Sequence, residues 1–195
     1  AVIREVKPAA VVDGILAKKN LGTIMDMAPF TVALGPGFTA GVDVHAVVET
    51  MRGHKLGRII YEGNAIPNTG IPGAIAGVAK ERVIHAECAG VLYGEKKISD
   101  YVQKDEVIAY IYPDAQAKDA SGQREKDGAV AVKATISGIL RGLIRDGYPV
   151  TKGFKIADID PRESVYENCF TISDKARCIA GGVLEALLHA GVLPE

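Results

Sequence analysis

The chain has 195 residues, 48% apolar but only 6% aromatic, with 22 glycines, a strand-and-turn composition in a chain long enough to bury a core. A net charge of −1 without a long basic run excludes the electrostatic footprint of a nucleic-acid binder. Cys88, Cys169 and Cys178 cannot all pair within the chain, no apolar run reaches the roughly 18 residues of a membrane span, and residues 1–20 lack a signal-peptide layout, which together point to reduced thiols, a cytoplasmic location and no membrane.

Residues 8–19 read as a helix. Pro8 stands at its entry, Val11, Val12, Ile15 and Leu16 make an apolar stripe, and Lys18 and Lys19 suit the negative end of the dipole. Phe30–Leu34 reads as a strand that runs straight into a glycine-rich loop, residues 35–41. Such a loop either presents backbone N–H groups to an anion or is a tight turn that needs positive φ, and the sequence leaves both open. Residues 44–50 and 57–62 are rich in β-branched side chains and read as a β-hairpin across Arg52-Gly53-His54-Lys55. Alternation then puts His45, Val47 and Glu49 on one face. Asp43, His45, Glu49, Arg52, His54 and Arg58 crowd this region. A ligand site, a metal held by His45, His54 and Glu49, and a solvated hairpin face are the alternatives, and no close metal-ligand spacing selects the metal. With Gly35, Gly37 and Phe38 of the loop, these six form the candidate anion-binding group. Residues 64–77 are a Pro- and Gly-punctuated loop, which places a domain boundary near Lys80.

The strongest pattern is internal. Residues 84–111 align without a gap on 132–159 at a constant shift of 48 positions, and nine of the 28 pairs are identical. The identities are Ala86/Ala134, Gly90/Gly138, Leu92/Leu140, Gly94/Gly142, Val102/Val150, Lys104/Lys152, Ile108/Ile156, Ala109/Ala157 and Ile111/Ile159. Each copy reads as short strands about a turn. One copy has too few strands to bury a core alone, so the two are expected to close on each other. The connection, residues 113–128, is polar and rich in turn formers. After Ile159 come a short strand at residues 169–172, Ser173 as a helix N-cap, and a closing helix over residues 176–190 interrupted by Gly181-Gly182. Val183, Leu184, Leu187 and Leu188 need a cover, which predicts that this helix packs back on the first domain.

The doubled stretch, through Ser137-Gly138 and Gly147-x-x-Val150-x-x-Gly153, resembles the biotinyl/lipoyl carrier fold, a barrel-sandwich hybrid of two half-motifs. Lys118 and Lys126 in the connection lack the flanks of a carrier lysine. Asp174-Lys175-Ala176 has such flanks but lies beyond the second copy. The expected fold is therefore α+β and mainly β. It comprises a small α/β domain over residues 1–80, a duplicated barrel-sandwich hybrid over 81–160, and a strand and helix over 161–195.

Nearly end to end, the chain resembles the selenium-dependent molybdenum hydroxylase accessory (maturation) proteins. The match rests on DGILAKKNLGT, ALGPGFTAGVDVHAVVETMRGHKLGRIIYEG, NTGIPG and FTISDKARCIAGGVLEALL. It departs at Met51 and Lys55, where polar residues are expected. Members of this family begin with a nucleotide-binding-like region, and this chain, which has no initiator Met, enters after it. The resemblance implies a cytoplasmic maturation role with a molybdenum hydroxylase as client. It leaves open the enzymatic status, the homo-oligomeric state and the cofactor, for which a molybdopterin dinucleotide or a nucleotide is the candidate. The alternatives are an enzyme handling selenium, sulfur or a nucleotide, motivated by Cys169, Cys178 and the His/Glu group of residues 43–58, and a lysine-modified carrier.

Overall fold

A computed structural model describes residues 2–70, 77–78, 80–113 and 128–192. The chain divides into two compact units, residues 1–70 with 172–195 and residues 71–171.

The first unit opens with a five-residue helix, α1 (Val2–Val6). Six strands follow: β1 (Ala10–Asp13), β2 (Phe30–Leu34), β3 (Thr39–Ala40), β4 (Ala46–Val48), β5 (Ile59–Ile60) and β6 (Gly63–Asn64). β1, β2 and β4 run parallel, β5 pairs antiparallel with β4, and the sheet order is β1-β2-β4-β5. β3 and β6 form a separate two-stranded ribbon. The period-2 alternation of β2 and β4 divides the core. Ala33 and Val47 pack with Phe38, Ala40, Val44 and Ala65 on one face. Val32, Ala46 and Val48 pack on the other, against Ile179 and Ala186 of the long helix α2 (Asp174–His189). Ser173 caps that helix by accepting a hydrogen bond from the Ala176 N–H at 3.1 Å.

The helix expected over residues 8–19 does not form. Residues 10–13 are instead an edge strand in register with Phe30–Ala33, while Leu16 and Lys18 take left-handed φ values of 59° and 62°. Val11-Val12 is a β-branched pair beside an open strand edge. Tertiary pairing therefore overrides a helical stripe only four residues strong.

The second unit holds β7 (Val83–His85), β8 (Gly90–Gly94), β9 (Tyr101–Val102), β10 (Val107–Tyr112), β11 (Val130–Lys133), β12 (Gly138–Leu143), β13 (Tyr148–Val150) and β14 (Lys155–Asp160). They form two antiparallel sheets, ordered β11-β10-β8-β13 and β7-β14-β12-β9. The 48-residue shift converts one order into the other. Each sheet thus takes strands from both copies. The core is seven shift-related pairs: the six apolar identities above together with Ile84/Val132. The bonds repeat as well. Ser99 N–H donates to Leu140 C=O at 2.8 Å and Gly147 N–H to Leu92 C=O at 2.9 Å. Ser99 and Asp105 occupy the positive-φ positions that glycine fills at 147 and 153.

The expected barrel-sandwich hybrid of the carrier type is corrected by this arrangement. The described strands lie in four separate sheets, three of four strands and one of two, with a single long helix at the C-terminal end. A repeat dictates which residues face inward. Closure depends on pairing between edges, and the edge strands β9 and β13 are only two and three residues long. The strand expected at residues 169–172 is also absent, and a 3₁₀ helix (Glu163–Cys169) precedes it. Lys118, Lys126 and most of the connection lie outside the described residues.

Candidate functional site at the carboxyl edge of the parallel sheet

Because β1, β2 and β4 are parallel, their carboxyl ends (Asp13, Leu34 and Val48) share one edge. The segments leaving that edge are residues 14–19, 35–38 and 49–53. Asp13 ties down the first, accepting from Ile15 N–H at 3.0 Å and from Thr23 Oγ1 at 2.6 Å. The second packs closely on its neighbours. A Cβ at Gly37 would stand 2.5 Å from Lys19 Cα, and one at Gly35 would run into Thr50 Oγ1. Both glycines have positive φ, so backbone conformation and close approach each demand glycine here. In the third segment Arg52 donates to Asp174, Nη1 to Oδ2 at 2.8 Å and Nη2 to Oδ1 at 3.0 Å. This contact fixes the 49–53 turn to the first turn of α2. The Asp174 carboxyl is thereby held well below its usual range, and Arg52 is raised.

Lys175 completes the edge. It is half-buried, and its ammonium is pushed below its ordinary 10.5, first by burial, then by the charges of Lys18 and Arg52, with Glu49 acting in the opposite sense. The local carboxylates are otherwise engaged. Asp174 takes both bonds from Arg52. Glu49, 2% exposed, accepts from Met51 N–H at 2.7 Å and Ile66 N–H at 2.8 Å. Among the described residues neither Lys18 nor Lys175 forms an ion pair, and the Glu49 carboxylate acts on Lys175 only at longer range.

The nine residues expected to form the site divide. Gly35, Gly37, Glu49 and Arg52 belong to this edge. Phe38 is buried in the core beneath the ribbon. Asp43 closes its own turn, accepting from Thr39 N–H at 2.7 Å. His45 stands at the start of β4, at the opposite edge, where its Nδ1 accepts from Thr31 N–H at 3.1 Å. His54 and Arg58 are exposed, and Glu49 is held by backbone N–H groups instead of Arg58. His45, His54 and Glu49 are not brought together: among the described residues no three His, Cys, Asp or Glu side chains are grouped to hold an ion. The loop also engages its own N–H groups, Gly35 to Val48 C=O at 2.9 Å and Gly41 to Val44 C=O at 2.8 Å. Those two N–H groups are therefore not offered to an anion, and cationic side chains line the edge as well. Two of them, Lys18 and Lys175, were missed. Lys18 was read as a helix-terminal charge. Lys175 carries a lysine-carrier flank that drew attention away from its place in the first turn of α2.

No protein-family model matches the chain. It is 52% identical over 98% of its length to a protein of Escherichia coli (strain K12) named Uncharacterized protein YqeB. It spans only 33% of that protein's length. Among solved structures it is similar to an aspartoacylase family protein of Mesorhizobium loti, with 14% identity, TM-score 0.33, and 42% of this chain and 24% of that one covered. It is also similar to a succinylglutamate desuccinylase of Silicibacter sp. TM1040, with 15% identity, TM-score 0.33, and 68% and 45% covered. A third likeness is to the product-bound ectoine utilization protein EutE (DoeB) of Ruegeria pomeroyi, with 17% identity, TM-score 0.31, and 51% and 27% covered. These likenesses are partial. Among the described residues no helix is long and apolar enough to cross a membrane.

Proposed function

We propose that the protein is a cytoplasmic accessory factor in the maturation of a selenium-dependent molybdenum hydroxylase. In this reading it holds the phosphates of a small ligand, a nucleotide or a molybdopterin dinucleotide, on Lys18, Arg52 and Lys175. The carrying observation is the half-buried Lys175, set near Lys18 and Arg52 and without an ion pair among the described residues. It sits where open parallel sheets take their ligands, beyond the strands' carboxyl ends. The donors fit phosphate: the lysines offer point charges, and Arg52, whose Nη1 and Nη2 each donate to Asp174, offers its remaining N–H groups. Client recognition and the maturation role rest on the sequence resemblance. The selenium- or sulfur-handling alternative is weaker, since the Cys178 thiol donates to Leu56 C=O at 3.2 Å and has no base paired with it.

Titration calorimetry with inorganic diphosphate, nucleotides and a pterin dinucleotide tests the ligand. Saturable binding is expected, weakened by roughly tenfold or more in Arg52→Ala and in Lys175→Ala. Equal affinity in both variants would refute the site. In cells that make such a hydroxylase, the double variant should leave the client without its cofactor, and normal cofactor loading would refute the role.

A further inference from the structure

The internal duplication supplies a control for the second unit, because each position in one sheet has a counterpart in the other. Arg141, Asp158 and Asp160 on the outer face of the β7-β14-β12-β9 sheet correspond to Tyr93, Tyr110 and Tyr112 in its twin. There the three rings lie together, with Tyr93 and Tyr112 centroids 5.7 Å apart. Arg82 and Lys155 correspond to Val130 and Val107. The same scaffold thus folds with an uncharged outer face, and charges taken out of water carry a desolvation cost. The charged face is accordingly not a requirement of the fold.

The charges on that face do not balance. Among the described residues four cations meet two carboxylates. Arg162 takes Asp160, Nε to Oδ1 at 2.9 Å and Nη2 to Oδ2 at 2.8 Å. Lys155 takes Asp158 at 3.0 Å, and Arg82 Nη2 stands 2.6 Å from the other Asp158 oxygen, out of line for a hydrogen bond. Arg141 is left over. Its side chain is only 25% exposed, it reaches Asp160 only at 3.7 Å, and its buried Nε has no hydrogen-bond partner. It sits at the irregularity between Leu140 and Gly142 in the β12–β14 register. Beside it opens a cavity of about 330 Å³ lined by Leu143, Ile144, Lys155, Ile156 and Asp158. Gly142 lines it, and a Cβ there would meet only Asp158, at 3.5 Å. The twin has no such room: a Cβ at Gly94 would lie 3.0 Å from Leu143 Cδ2 and 3.1 Å from Lys96 C=O.

We propose that this face binds a small organic acid. The carboxylate meets the Arg141 guanidinium and the Lys155 ammonium, and a short apolar tail lies against Leu143, Ile144 and Ile156. A guanidinium fork matches a carboxylate in both charge and geometry, and the apolar walls favour a carbon tail over a bare inorganic anion. This site is independent of the carboxyl edge of the first unit.

The test is titration of the full chain with isobutyrate, benzoate and inorganic phosphate, read by calorimetry and by the Arg Nε–H resonances. The carboxylates should bind at millimolar concentration or below and move the Arg141 signal. Affinity should fall by about tenfold or more in Arg141→Gln and in Gly142→Ala, and stay unchanged in Lys175→Ala. Arg141→Tyr, which installs the twin's residue, should fold normally and bind nothing. If Arg141→Gln fails to fold, Gly142→Ala decides, because it narrows the cavity beside Arg141 without removing charge. Absence of binding to the wild-type chain would overturn the proposal. So would equal affinity in Gly142→Ala, or binding of phosphate in preference to both carboxylates.

Discussion

Glu49 is a buried carboxylate that neutralises no bonded cation. Its two oxygens accept from Met51 N–H and Ile66 N–H and so tie the turn after β4 to the segment after β6. Glu49→Gln keeps the shape but turns one acceptor into a donor facing an N–H. Equilibrium urea unfolding should show a loss of about 1–3 kcal/mol, the cost of leaving buried polar groups unmatched. An unchanged midpoint would mean that water meets these N–H groups. The same residue shows why the site was only partly legible. Glu49, Arg52 and His45 lie within eight positions of one another, and sequence proximity grouped them. A strand carries its residues apart by about 3.3 Å each, so His45 reaches one edge of the sheet and Arg52 the other.

At the scale of elements, α2 separates two glycines that look equivalent in the sequence. A Cβ at Gly181 meets nothing within 4 Å, whereas one at Gly182 would run into Gly57 C=O and stand 3.0 Å from Val48 Cγ1. Gly181→Ala should therefore stabilise the chain by about 1 kcal/mol through helix propensity. Gly182→Ala should cost about 1–3 kcal/mol through overpacking against β4 and the turn before β5. Thermal unfolding of the two variants checks the signs, and equal shifts would show that α2 does not pack as described. Phe30–Leu34 and the start of α2 were readable because local signals and tertiary pairing agree there. Residues 8–19 were not. Their apolar stripe is compatible with a helix and with a strand, and the neighbouring edge of β2 decides between them.

Over the whole molecule, the duplication was legible because the identities that survive are core positions. Leu92 and Leu140 are both fully buried. Leu92→Ala and Leu140→Ala should each cost about 2–5 kcal/mol, and by similar amounts, since their surroundings are shift-related. A several-fold difference in denaturant unfolding would break that equivalence. Sheet closure was not legible, since it depends on edges far apart in the chain. The juxtaposition of Lys18 and Lys175 is not legible for the same reason: 157 positions of sequence separate them, and only the parallel order of β1, β2 and β4, with α2 packed across, brings their charges together.

The central claim, an anion held at that carboxyl edge, is tested most directly by the titration of the Lys175 ammonium, followed by NMR with and without inorganic diphosphate. In the free protein the group should titrate below its ordinary 10.5, because burial, Lys18 and Arg52 all disfavour its charge. The charged form then carries its full cost below the depressed value, and the cost is relieved as pH rises through it. A bound polyanion reverses the balance. Saturation should raise the Lys175 titration toward or above 10.5, take up protons on the alkaline side, and weaken binding as pH climbs through that window. A Lys175 titration that diphosphate leaves unmoved, or proton uptake that persists in Lys175→Arg, would contradict the account.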